Sequence, residues 1–228
     1  MCSNDVTLGA MTVDFQATLF DAGTTDPSAV VEQPTLGPLG GTVQRHLLSH
    51  GAWVDVRPGW LAGSDDLFAK LVREVPWQAE RRQMWDNVVD VPRLLRFYGA
   101  GEPLPDPVLV EAREALDAYY ADELGERFTT AGMCYYRDGR DSVAWHGDTI
   151  GRSRTQDTMV AILSLGEARR LSLRPRAGGE PSRGFLLGHG DLIVMGGSCQ
   201  RTWEHAILKT ARPVGPRISI QYRPRGVR

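Results

Sequence analysis

The sequence predicts a mainly β protein with flanking helices, an antiparallel sandwich or jelly roll, and three observations carry that expectation. From about residue 129 onward, short runs rich in β-branched and aromatic residues follow one another. Gly, Pro and Asp turns punctuate them at intervals of about ten residues, the spacing of antiparallel meanders rather than of βαβ units. Before that point the apolar periodicity is helical instead.

Taken in order, residues 1–40 are rich in Gly, Thr, Pro and Asp with weak periodicity, and read as a loose extension with a short strand near "TLFD". Residues 41–228 read as one domain with its β core at about 129–225. "GSDDLFAKLVREV" opens on Ser64 as N-cap, with acidic residues in its first turn. Leu67, Phe68, Leu71, Val72 and Val75 follow at helical spacing, and Pro76 ends the helix. "LPDPVLVEAREALDAYYADELG" starts at Pro107 and stops before Gly125, with Val108, Ala112, Ala115 and Tyr119 as one face. The β runs are "AGMCYYR", "SVAWH", "TMVAILSL", "RRLSLRP", "GFLL", "DLIVM", "TWEHAIL" and "RISIQYR".

The totals narrow the function classes. The chain has 228 residues, enough for one good-sized domain with an extension, and 42% are hydrophobic. Cys2, Cys134 and Cys199 are too few and too scattered for a disulfide framework. No apolar run is long enough to span a bilayer, and the N-terminus lacks a basic segment followed by an apolar stretch. A cytoplasmic monomer with no membrane partner is the expectation. Charge is uneven: residues 1–126 hold 9 Lys/Arg against 20 Asp/Glu, and residues 127–228 hold 17 against 8, giving −11 and +9. A basic C-terminal half suits phosphate or carboxylate partners, although helix surfaces produce such asymmetry too.

Two segments carry a His-X-Asp pair, "AWHGD" at His146 and Asp148 and "LGHGD" at His189 and Asp191. On a strand such a pair points to one side. With a second histidine it forms the two-His, one-carboxylate face that holds non-haem iron. His205 is the one histidine downstream of both. Spacing does not choose between them, since His189 and His205 mirror one another about Gly197 and a hairpin would join them. The flanks favour His146 and Asp148: "DSVAWHGD" reads as a strand running into its histidine. "GHGDLIVMGG" reads as a glycine-bracketed turn tip.

The surroundings are more specific. "CYYRDGRDSVAWHGD" resembles the iron-binding segment of the AlkB family of nucleic-acid alkylation-repair dioxygenases. "GDLIVMGGSCQRTWEHAILK" resembles that family's strand and distal-histidine segment, "RISIQYR" its final Arg-X5-Arg motif, and "PRLLRFYG" the stretch before the core. The resemblance runs from about residue 90 to 225, in the family's order. It implies a double-stranded β-helix core with helices from the N-terminal half packed on it. It implies Fe(II) held by His146, Asp148 and His205, with 2-oxoglutarate and O2 as cosubstrates, and leaves His189 and Asp191 structural.

The same resemblance assigns further roles. Arg217 pairs with the distal carboxylate of 2-oxoglutarate through its two-pronged fork, Arg223 lies at the iron end, and Tyr136 bonds the cosubstrate. Cys134 and Ser219 stand where the family has cosubstrate-contacting asparagines. Thr149 and Ile150 stand where relatives carry an acidic residue that touches the base. Tyr98 is the candidate for stacking on an extruded base, with Arg93, Trp85 and Ile150 as further substrate-side candidates. Trp145 and Trp203 read as packing beside the site. Arginines 152, 154, 169, 170, 174 and 176 are candidates for phosphate contacts. The activity implied is oxidative demethylation of N-alkylated bases in DNA or RNA, releasing formaldehyde, succinate and CO2. A small-molecule or protein hydroxylase on the same core, or a non-catalytic jelly-roll binding protein, are the alternatives that Cys134 and Ser219 keep open.

Overall fold

A computed structural model of the chain describes residues 33–84 and 87–227. The expected strand near "TLFD" and the candidate Trp85 lie outside them. Ordered structure starts before residue 41, however. Strand β1 (Thr35–Leu36) pairs with β4 (Leu61–Ala62), and Leu39 is buried.

The eight expected β runs all form strands: β7 (Phe128–Tyr136), β8 (Val143–His146), β9 (Val160–Gly166), β10 (Arg169–Pro175), β11 (Arg183–Leu187), β12 (Asp191–Gly197), β13 (Trp203–Ile207) and β14 (Arg217–Pro224). The N-terminal half departs from expectation. It supplies not helices alone but four strands of the larger sheet: β2 (Gln44–Leu47), β3 (Ala52–Arg57), β5 (Gln78–Met84) and β6 (Asn87–Tyr98). The larger sheet runs β2-β3-β12-β9-β14-β7-β6-β5 and the smaller β11-β10-β13-β8, with every pairing antiparallel.

Both helices appear where their caps place them: α1 (Asp65–Glu74) and α2 (Pro107–Tyr119), followed by the short α3 (Ala121–Leu124). Gly125 closes that segment at φ 68°, a left-handed conformation that glycine adopts without a Cβ clash. Asp106 caps α2 by accepting from Val108 N. The buried face of α2 is Val108, Leu109, Ala112 and Leu116, one step round from the expected face, and Tyr119 is exposed while Tyr120 is buried. Tyr120 donates to Asp55 on β3, which explains the preference.

The layers are helices, larger sheet, smaller sheet. The central strands of the larger sheet are buried on both faces, hence their near-continuous apolar runs. On β14, Ile218, Ile220 and Tyr222 face α1 and α2, and the Tyr222 hydroxyl donates to Leu109 O at 2.9 Å. The intervening Arg217, Ser219, Gln221 and Arg223 therefore face the space between the sheets. Leu171, Leu173, Trp203 and Ile207 of the smaller sheet close that space against Val160, Ile162, Ile193 and Met195. This polar stripe on a buried strand is what makes the site.

Candidate metal centre and cosubstrate cavity

Strand β8 ends in His146, which pairs directly with His205 on β13. Their rings lie 4.3 Å apart between centroids. Asp148 enters from the loop after β8, and one ligand atom from each of the three residues lies within 4.8 Å of the others. His146 Nδ1 donates to Ala144 O at 2.8 Å, which fixes the ring so that Nε2 faces Asp148, 3.6 Å from its Oδ1. His205 is buried, and burial pushes its pKa down to about 3, so the imidazole is neutral and its lone pair available. Burial alone would raise the Asp148 carboxyl, but the Arg223 guanidinium beside it holds it well below the usual carboxylate range. An ionised carboxylate and two imidazoles are a donor set suited to Fe(II).

The backbone around Asp148 is also held. Its N–H donates to Gln200 Oε1 at 2.9 Å, and its carbonyl accepts from Ser153 Oγ. Gln200, on α4 (Cys199–Thr202), is 1% exposed. Gly147 has no room for a side chain: a Cβ would lie 2.5 Å from Gln200 O. The glycine of this His-Gly-Asp segment is thus required by close approach.

Beyond the metal ligands the cavity is lined by Arg217, Tyr136, Arg93, Cys134, Ser219 and Gln221. Arg217 is 1% exposed. Its Nε donates to Ser164 Oγ at 2.9 Å, and its Nη1 has no partner. Among the described residues no carboxylate pairs with it, and burial lowers its pKa. A buried guanidinium with an unpartnered N–H fits the far carboxylate of a 2-oxo diacid, which would offset the desolvation. Tyr136 faces Arg217 across the β7–β14 pair, and burial raises its phenol pKa. Arg93 reaches the same cavity: its Nη1 donates to Ser142 O, and its buried Nε has no partner.

The second His-X-Asp pair does something else. Gly166 N–H donates to His189 Nδ1 at 2.8 Å, so Nε2 carries the proton and donates to Ser64 Oγ at 2.6 Å. The expected N-cap hydroxyl of α1 is therefore engaged by His189. Asp191 accepts from Gly188 N and Gly59 N, each at 2.7 Å. A hairpin does not bring His189 to His205, because β12 joins the larger sheet and β13 the smaller.

These features match known proteins. The family model described as "2OG-Fe(II) oxygenase superfamily" matches residues 98–223, more than half of the chain. The chain belongs to that superfamily. Within it, the dioxygenase falls in the AlkB family. It is 29% identical over 198 residues to the Alpha-ketoglutarate-dependent dioxygenase alkB homolog 3 of Bos taurus, covering 74% of this chain and 66% of that one. It is 30% identical over 133 residues to the DNA oxidative demethylase ALKBH2 of Arabidopsis thaliana, covering 49% and 42%. The chain thus spans about two thirds or less of these two relatives. The solved structure of a Pseudomonas putida prolyl-4-hydroxylase shares the fold, with TM-score 0.55 and 17% identity over 78% of this chain and 95% of that one. Fe(II) and 2-oxoglutarate are the metal and cosubstrate of this dioxygenase, and the residues present fit both.

The substrate-side candidates need correction. Tyr98 does not reach the cavity. It is 5% exposed, packed in the helix-side core, with the Arg96 guanidinium 4.6 Å over its ring. Strand alternation is the reason: Arg93, Leu95 and Phe97 share the cavity side of β6, and Leu94, Arg96 and Tyr98 the other. Phe97, 42% exposed and paired with Gly132, is the aromatic on the site face. Ile150, 67% exposed, follows the metal loop but does not line the cavity. Trp203 packs under the site, while Trp145 lies beneath Arg174. Arg169 is not a phosphate ligand: it is buried and donates to the carbonyls of Asp138, Asp141 and Leu208. Arg174 and Arg176 pair with Glu204, and Arg154 and Arg170 are exposed. Gln200 and Gln221 were missed from sequence. The signal for Gln221 was its place in the odd-numbered polar series of β14.

Proposed function

We propose that this dioxygenase removes N-linked methyl groups from nucleic-acid bases by oxidation. When bound, Fe(II) and 2-oxoglutarate supply the oxidant that places one oxygen atom of O2 in the substrate C–H bond, with succinate and CO2 as the other products. The hydroxymethyl group then leaves its ring nitrogen as formaldehyde. The chain's own work is binding and orientation. Arg217 and Tyr136 hold the cosubstrate at the deep end. Arg223, Gln200 and Ser153 fix Asp148, and the apolar seal of Leu171, Ile207 and Ile162 excludes water from the reacting atoms.

The observation that carries the reading is the four-motif order of the AlkB family, threaded through one metal centre and one cavity. The likeness to a relative named as a DNA oxidative demethylase supports it, as does the positive balance of residues 127–228. Phe97, on the cavity side of β6, takes the stacking role first expected of Tyr98.

The test measures succinate and formaldehyde from the iron-loaded protein with N-methylated and unmethylated oligonucleotides. The reading expects formaldehyde from methylated oligonucleotide alone, in step with succinate. Succinate that no oligonucleotide stimulates would favour a small-molecule hydroxylase, and no succinate with any substrate would favour a binding protein.

A further inference from the structure

Cys134 and Ser219 replace two asparagines that the family resemblance leads one to expect beside 2-oxoglutarate. The two residues are direct partners across the β7–β14 pair, so both replacements fall at one place in the cavity. A thiol is a weak donor and a hydroxyl has a single O–H, so the replacements remove most of the neutral hydrogen-bonding capacity there.

A third residue fills the gap. Gln221 lies two residues beyond Ser219 on β14, and its side chain turns back towards both replacements. Its Nε2 donates to Ser219 Oγ, with a longer contact of 3.4 Å to Ser219 O. Its Oε1 lies 3.8 Å from Cys134 Sγ. The residue is 8% exposed and lines the cavity with Arg217 and Tyr136. Gly132 makes the room: a Cβ there would stand 3.1 Å from Gln221 Oε1 and 2.9 Å from Arg223 Nη1. A shortened pair, a glycine and a long amide are complementary in volume.

We propose that the Gln221 amide is the neutral hydrogen-bonding group of the 2-oxoglutarate site, reaching in from the next same-face position of β14 in place of amides at 134 and 219. Of its two N–H groups one is held by Ser219 Oγ. The other makes only the long carbonyl contact, which an anionic cosubstrate displaces. Ser219 and Cys134 then act as the cradle that aims the amide. The inference rests on the dioxygenase class of the chain and not on the nucleic-acid substrate proposed above.

The test uses the full chain loaded with Mn(II), which holds the metal site without turnover, and titrates 2-oxoglutarate calorimetrically. Gln221→Ala and the nearly isosteric Gln221→Glu should each weaken 2-oxoglutarate binding by about ten- to a hundredfold, the worth of a hydrogen bond to a charged group. Glu cannot donate when ionised and should be the worse of the two. Mn(II) affinity should stay at the parental value, because Gln221 is not a ligand. Asn introduced at 134 in the Gln221→Ala background should recover most of the loss. Three results would overturn the proposal: 2-oxoglutarate binding within about twofold of the parent in both single variants, equal losses of Mn(II) and 2-oxoglutarate affinity, or no gain from C134N in the Q221A background. The Glu variant preserves size, so a folding defect confined to the Ala variant leaves the test intact.

Discussion

Arg223 Nε lies 2.8 Å from Asp148 Oδ2, joining the last strand to the metal carboxylate by a nearly buried ion pair. The cation therefore holds the carboxylate in place before any metal arrives. Removing one partner of such a pair leaves a buried charge uncompensated, which costs about 3–5 kcal/mol in comparable sites. Arg223→Ala should lower the melting temperature of the metal-free protein. Loading with Mn(II) should narrow the gap to the parent, since the metal supplies the missing positive charge. Thermal melts with and without metal check this; a gap that does not narrow would count against the pairing.

Arg217 presents the opposite balance. Its guanidinium is buried with Nη1 unpartnered, so without cosubstrate it is a liability to the fold. Arg217→Met should leave the apo protein as stable as the parent or more so, because replacing a buried charge by an apolar side chain is often neutral or stabilising. It should also abolish the stabilisation that 2-oxoglutarate gives the Mn(II)-loaded parent. Arg217→Lys should restore that stabilisation only in part, lacking the two-pronged geometry. Melting with and without 2-oxoglutarate reads both effects.

Asp191 satisfies two backbone N–H groups, one on either side of a chain crossing. Asp191→Ala should destabilise by about 1 kcal/mol, the net worth of the part-buried bond to Gly188, because Gly59 is exposed and water satisfies its N–H. Denaturant unfolding measures the loss. Parental stability would mean that water replaces the carboxylate at no cost.

Phe97 and Tyr98 are adjacent but on opposite faces of β6, and their substitutions should separate cleanly. Phe97→Ala should slow demethylation of a methylated oligonucleotide, with stacking worth about 1–3 kcal/mol, and leave thermal stability nearly unchanged. Tyr98→Ala should destabilise by about 3–5 kcal/mol, as for other large core truncations. Steady-state turnover and melting of the two variants decide between them, and the reverse pattern would restore Tyr98 to the site.

The C-terminal half was legible because its strands carry alternating or continuous apolar patterns between strong turn residues. The metal ligands were legible through motif order, not through spacing, which allowed a His189–His205 hairpin. What sequence could not give was the partition of β12 and β13 into different sheets, which separates those two histidines. Nor could it give the strands β2, β3 and β5. Gln44–Leu47 is exposed along its length and Gln78–Met84 is mostly polar, so neither shows a buried-strand pattern. Tyr98 was misplaced by one residue, and one residue is enough to reverse a side chain across a sheet. Gln221 escaped notice because its role depends on the absence of bulk at Gly132, Cys134 and Ser219, a relation between strands.

The most direct test of the metal centre is anaerobic Fe(II) titration of the parent and five single alanine variants, at 146, 148, 189, 191 and 205. One Fe(II) per chain is the expected stoichiometry in the parent. His146→Ala, Asp148→Ala and His205→Ala should lose it, and His189→Ala and Asp191→Ala should keep it wherever they remain folded. Loss of iron in folded His189→Ala, or full iron retention in Asp148→Ala, would contradict the assignment on which the function rests.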